Sequence, residues 1–158
     1  MGPITILNIQ VFLSLLLFGI IAKIYVWPAL KKRDLKMALL PLLLFSAFRF
    51  MGLNFLVPFL GNDLPSAFAV TAGYGDFIVS LIALVAVLML FVNVGLGVFF
   101  ALVYAILGSI DFIYALYLSN VHQMPLYIGS NWWVVTILGP AWMVTLALLF
   151  FVLAKSRR

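Results

Sequence analysis

Arg49, Asp76 and Asp111 are three charges set inside otherwise apolar stretches of this chain. In hydrocarbon a charge costs a few kcal/mol or more, so it persists only when it is paired, hydrated or used. A guanidinium offers a planar fork of donors that suits a carboxylate or a phosphate. Two aspartates held apart in acidity by burial can relay a proton. A lone Arg–Asp pair can also simply pin two helices together. No Ser–His–Asp set, phosphate-binding loop or HExxH motif accompanies the three charges. No catalytic residue is therefore assigned, and a role other than catalysis is expected.

The composition says what must position these residues. The chain is 67% hydrophobic and 8% charged, with mean hydropathy +1.30, more apolar surface than a soluble domain of 158 residues could hide. An all-α, polytopic membrane helix bundle forming one domain is expected. Cysteine is absent, which rules out a disulfide framework, a thiol nucleophile and a Cys-ligated metal site. The net charge of +5 comes from basic residues clustered at span boundaries, where they meet anionic headgroups rather than nucleic acid.

A span needs about 20 apolar residues at 1.5 Å each. Five are expected, over about 4–27, 37–60, 76–92, 98–118 and 132–153. The first has no basic leader or convincing cleavage site before Lys23 and reads as a retained helix. Asn93-Val94-Gly95-Leu96-Gly97 is the only plausible turn in the long apolar run from Phe77 to Tyr117. With five spans, Lys31, Lys32, Arg33 and Lys36 share a face with Lys155, Arg157 and Arg158. The Asp63 and His122 loops, free of Lys and Arg, fall on the other face. The positive-inside rule then puts the N-terminus out and the C-terminus in the cytoplasm. Trp132 and Trp133 mark the outer boundary, Tyr25 and Trp27 the inner one, and Trp142 reads as a packing residue.

On this topology Arg49 lies about 16 Å deep and Asp111 about 10 Å, with Asp76 at the outer mouth of the third helix. An Arg49–Asp111 pair is then geometrically reasonable. Asn8, Gln10, Asn54, Tyr114 and Thr136 share the outer half. Together they suggest a polar pocket open to the outside above an apolar cytoplasmic half. Its expected ligand-binding residues are Arg49, Asp76, Asp111, Asn54, Tyr74 and Tyr114. Gly139-Pro140 should kink the fifth helix near the same depth.

Thr71-Ala72-Gly73-Tyr74-Gly75-Asp76 resembles a potassium-channel selectivity filter with Ala72 where Val is usual. The preceding segment is short for a pore helix, and a Gly-rich turn capped by Asp76 is the preferred reading. His122 stands alone, with no carboxylate near it to complete a metal site. No cofactor follows from these residues.

The run Arg49-Phe50-Met51-Gly52-Leu53-Asn54-Phe55-Leu56-Val57-Pro58, the segment Asp63-Leu64-Pro65-Ser66-Ala67-Phe68-Ala69, Tyr74-Gly75-Asp76 and Gly108-Ser109-Ile110-Asp111 resemble a group of small uncharacterised bacterial integral membrane proteins. The resemblance implies a bacterial inner-membrane location and treats Arg49, Asp76 and Asp111 as one unit. It brings no activity with it. The leading expectation is binding of a small or amphipathic ligand, with passage as its extension and Arg49 as anion anchor. The rival is a structural or accessory subunit of a larger membrane complex or homo-oligomer. An ion channel built on the filter-like segment is a third reading.

Overall fold

The computed structural model describes residues 1–58, 60 and 64–155. Five of its helices are long and apolar enough to cross a membrane: α1 (Pro3–Lys31), α2 (Leu35–Leu56), α3 (Ser66–Val92), α4 (Val94–Val121) and α5 (Gly129–Lys155). Among the described residues there is no strand. Consecutive helices run antiparallel, so Lys31–Lys36 and Lys155 share one face, here the basic face. Lys155 Nζ reaches the Lys31 carbonyl at 3.4 Å, joining the two basic segments that five spans should bring together. Asp63, Arg157 and Arg158 lie outside the described residues.

Three of the helices, α1, α2 and α5, depart from regular α winding. Pro28 and Pro140 have no N–H to offer the carbonyl four residues back, and in both places a wide π turn precedes or adjoins the proline. The turns cover Ala22–Val26 in α1 and Val134–Leu138 in α5. The irregularity expected at Gly139-Pro140 is thus a π turn just ahead of it. In α2 the winding tightens to 3-10 over Phe48–Leu56. Three residues per turn stack Arg49, Gly52 and Phe55, all buried, on one face.

Asp34 caps α2, its Oδ1 accepting from Met37 N at 2.7 Å. Asn93 caps α4, accepting from Leu96 N at 3.1 Å, and is the single non-helical residue between α3 and α4. The expected five-residue turn is therefore one residue, and Gly95 and Gly97 belong to α4. A Cβ on Gly97 would sit 2.6 Å from Leu90 Cγ, so the tight corner depends on its absence.

The largest difference from expectation is α3, which starts at Ser66 instead of Asp76. Thr71–Asp76 is α-helical, so its carbonyls are committed to the helix and are not free to line a pore. Asp76 is ten residues inside the helix and caps nothing. Gly73 and Gly75 act as contact glycines rather than turn glycines.

Two apolar clusters fill the bundle. One, toward the basic face, gathers Leu39, Leu43, Ala83, Leu90, Ala101 and Leu149. The other, toward the far face, gathers Phe55, Phe68, Met124, Ile128, Val134 and Trp142. The charged residues fall between them on α2, α3 and α4. α1 packs on α5 and on the turn Met124–Leu126, and over Pro3–Ile21 only Leu7 is buried. Trp132 Nε1 donates to Gln10 Oε1 at 2.5 Å and fastens α1 to α5.

Gly97→Ala should destabilise the bundle by about 1–3 kcal/mol, the usual range for overpacking a close contact. Gly95→Ala should be milder, since its Cβ would meet only Asn93 Oδ1 at 3.1 Å. Thermal unfolding of both variants in one detergent measures the difference, and equal midpoints would contradict the corner geometry.

Candidate functional site

Arg49, Asp76 and Asp111 meet. Arg49 is about 14 Å from the far end of α2 at the 3-10 rise of about 2 Å per residue. Asp76 and Asp111 are each ten residues from the far ends of α3 and α4, about 15 Å at 1.5 Å per residue. All three lie at one level, close to half the ~30 Å thickness of a bilayer core. Asp76 is thus at the middle of its helix rather than at a mouth.

The guanidinium is fully engaged. Nε donates to Asp76 Oδ1 at 2.7 Å, and Nη2 lies 2.6 Å from the same oxygen. Nη2 donates to Asp111 Oδ2 at 2.5 Å, and Nη1 donates to the Gly108 carbonyl at 3.2 Å. The Phe112 ring covers the guanidinium face, 4.2 Å from Cζ. With every nitrogen engaged, Arg49 is not the open anion anchor expected from the sequence. It holds two carboxylates, and they hold it.

Three glycines make this closeness possible. Each of α2, α3 and α4 supplies one charge and one nearby glycine: Arg49 with Gly52, Asp76 with Gly75, Asp111 with Gly108. Each charged side chain packs on the glycine of another helix in the set, Asp76 on Gly52, Asp111 on Gly75 and Arg49 on Gly108. A Cβ at Gly52 would strike both Asp76 Cβ, at 2.5 Å, and its carboxylate. At Gly75 it would strike the Asp111 carboxylate, whereas at Gly108 it would stand 3.0 Å from the flexible end of Arg49. The ring of Tyr104, fully buried, borders the same Gly108 position.

A cleft of about 190 Å³ descends to this cluster from the far face. Arg49 and Asp76 line its floor, Phe112, Ala115 and Trp142 its walls, and Ser119, Asn120 and Gln123 its rim. Asn8 of α1 also borders it. The other expected ligand residues lie elsewhere. Asp111 does not line the cleft but braces the arginine from α4. The Asn54 carbonyl accepts from Asn131 Nδ2 at 3.2 Å, joining α2 to α5. Tyr74 and Tyr114 are about half exposed on the outer surface of the bundle, Tyr114 stacked on Tyr117. Gln10 is engaged with Trp132, and the Thr136 hydroxyl donates to the Trp132 carbonyl within α5.

Sequence reasoning missed Trp142, Phe112, Ala115, Ser119, Asn120 and Gln123. The signal for the α4 residues was available: Phe112, Ala115 and Ser119 recur every three or four positions toward the far end of the helix. Among the described residues no group of three or more His, Cys, Asp or Glu could hold a metal ion.

These features define a class: an all-helical bundle of five membrane-length apolar helices around a mid-depth Arg–Asp–Asp cluster. Within that class the chain belongs to the family described as a domain of unknown function (DUF8737), whose model matches residues 6–154. No curated protein and no solved structure matches it.

The glycine ring orders three substitutions. Gly52→Ala should cost about 3 kcal/mol or more, because it drives Asp76 off a buried arginine. Gly75→Ala should cost less, and Gly108→Ala least, since the Arg49 tip can yield. Thermal unfolding of the three purified variants reads the order directly. A flat series would mean that helix approach does not hold the triad.

Proposed function

We propose that this is an integral protein of a bacterial cell membrane that binds a small or amphipathic ligand in the cleft above Arg49 and Asp76. The observation that carries this reading is the cleft itself, which joins a largely apolar wall to a charged floor at mid-depth. Ligand sites commonly combine apolar lining with a few fixed polar groups. Passage through the protein would need a further opening, because Leu39, Leu43, Ala101 and Leu149 close the bundle below the triad and are fully buried.

The orientation follows from charge. Lys31, Lys32, Arg33, Lys36 and Lys155 on one face favour a cytoplasmic C-terminus, with the cleft opening outside. The chain has no cysteine, so single substitutions give a labelling test without background. Ser119→Cys at the cleft rim should react with a membrane-impermeant maleimide in intact cells, and Lys32→Cys only after lysis. The reverse pattern would invert the protein.

The rival role, an accessory subunit of a larger complex, is favoured by α1, whose Phe12, Leu16, Leu17 and Ile20 are exposed within this chain. Native mass spectrometry of gently extracted protein separates the two. A bound small molecule that is lost when Ala115→Trp fills the cleft supports the binder. A protein partner with an empty cleft supports the subunit and overturns the binding reading.

A further inference from the structure

Resting on the cleft reading above, we infer that the ligand is an amphipathic organic cation carrying an oxygen acceptor near its charge. Arg49, Asp76 and Asp111 are the only charged residues between Lys36 and Lys155 apart from Asp63. One guanidinium and two carboxylates leave a formal charge of −1 at mid-depth, where an unbalanced charge is costly.

The distribution of that charge is uneven. The Arg49 side chain is 1% exposed, against 12% for Asp76 and 14% for Asp111. The guanidinium edge is taken by carboxylate and carbonyl oxygens, and Phe112 covers its face. A visitor on the cleft floor therefore meets Asp76 in front of a sealed arginine. A carboxylate ligand would have to displace an aspartate from Arg49. A cation needs to displace nothing and brings the local sum to zero. Phe55, Phe68, Phe112 and Trp142 line the same cleft and offer aromatic surfaces to an ammonium group.

A second observation names the acceptor. Trp142 lines the cleft, is 2% exposed, and its indole N–H has no hydrogen-bond partner. An indole is a donor only, and a buried donor without an acceptor costs about 1–3 kcal/mol. An ester, ether or hydroxyl oxygen on the ligand would satisfy it. The volume sets the size of what enters. About 190 Å³ holds roughly six water-sized groups at ~30 Å³ each, enough for a head and its first carbons but not a long tail. The remainder would lie toward the rim at Ser119 and Asn120.

Three probes with matched eight-carbon tails test the inference: octanoylcholine, octyltrimethylammonium and octanoate. Their binding to the full-length protein in nanodiscs is measured by calorimetry, with empty nanodiscs subtracted. Octanoylcholine should bind about tenfold or more tighter than octanoate, a difference of about 1.4 kcal/mol. Asp76→Asn, which keeps the side-chain size, should erase that preference. Trp142→Phe should remove the advantage of octanoylcholine over octyltrimethylammonium while leaving the preference for cations. Octanoate binding as tightly as either cation to the unaltered protein would overturn the inference and leave the cleft a ligand site. No saturable binding of any probe would overturn both. The comparison among probes needs no variant, so it holds even if Asp76→Asn fails to fold.

Discussion

A guanidinium buried as fully as that of Arg49 must find an acceptor for each of its nitrogens inside the protein. The rest of this bundle is arranged around that demand. One carboxylate would neutralise Arg49 but would leave donors unmet, and the structure answers with two carboxylates and a backbone carbonyl. Three helices from different parts of the chain must then meet at one depth with almost no side chain between them. The glycines at 52, 75 and 108 and the tight winding of α2 are consequences of that requirement. The regular apolar packing above and below the triad is ordinary by comparison.

The three charges were legible because a charge in an apolar run has no inexpensive explanation. The count of five membrane-length helices was legible from apolar length, and the meeting of Lys155 with Lys31 agrees with the charge pattern behind it. The position of Asp76 was not. Gly73-Tyr74-Gly75 has the composition of a turn, and sequence alone does not distinguish a glycine that bends the chain from one that admits a neighbour. Here the neighbours are Leu56 and the Asp111 carboxylate, both remote in sequence. The 3-10 winding of α2 was hidden for a similar reason. Nothing in Phe48–Leu56 demands three residues per turn, and only contact with α3 and α4 makes stacking Arg49, Gly52 and Phe55 worthwhile. Trp142 looked like packing because its burial is real, whereas its unpartnered N–H is visible only in three dimensions.

The second carboxylate also changes the chemistry of the site. A one-to-one Arg–Asp pair would be electrically quiet, and a free arginine would attract anions. Two aspartates around one arginine reverse the sign that the arginine suggests, while the exposure of the three side chains decides which sign is felt from the cleft. The same residues thus serve as a helix clasp and as a charged floor. These roles need not compete, since Asp111 braces from α4 while Asp76 both braces and faces the cleft.

The order of the residues along the chain bears on how the protein is made. During synthesis α2 emerges before α3 and α4, so in the proposed membrane setting Arg49 would reach the bilayer before either of its counterions. Its span is also the least apolar of the five, with mean hydropathy 1.7 against 2.2 to 2.6 for the others. A single arginine at the centre of a helix opposes insertion by about 2.5–3.5 kcal/mol. α3 and α4, joined at Asn93, follow in the chain and bear both aspartates. In the proposed membrane setting, stable insertion of the second helix would then be coupled to the arrival of the two aspartates, and assembly of the bundle would be cooperative rather than helix by helix.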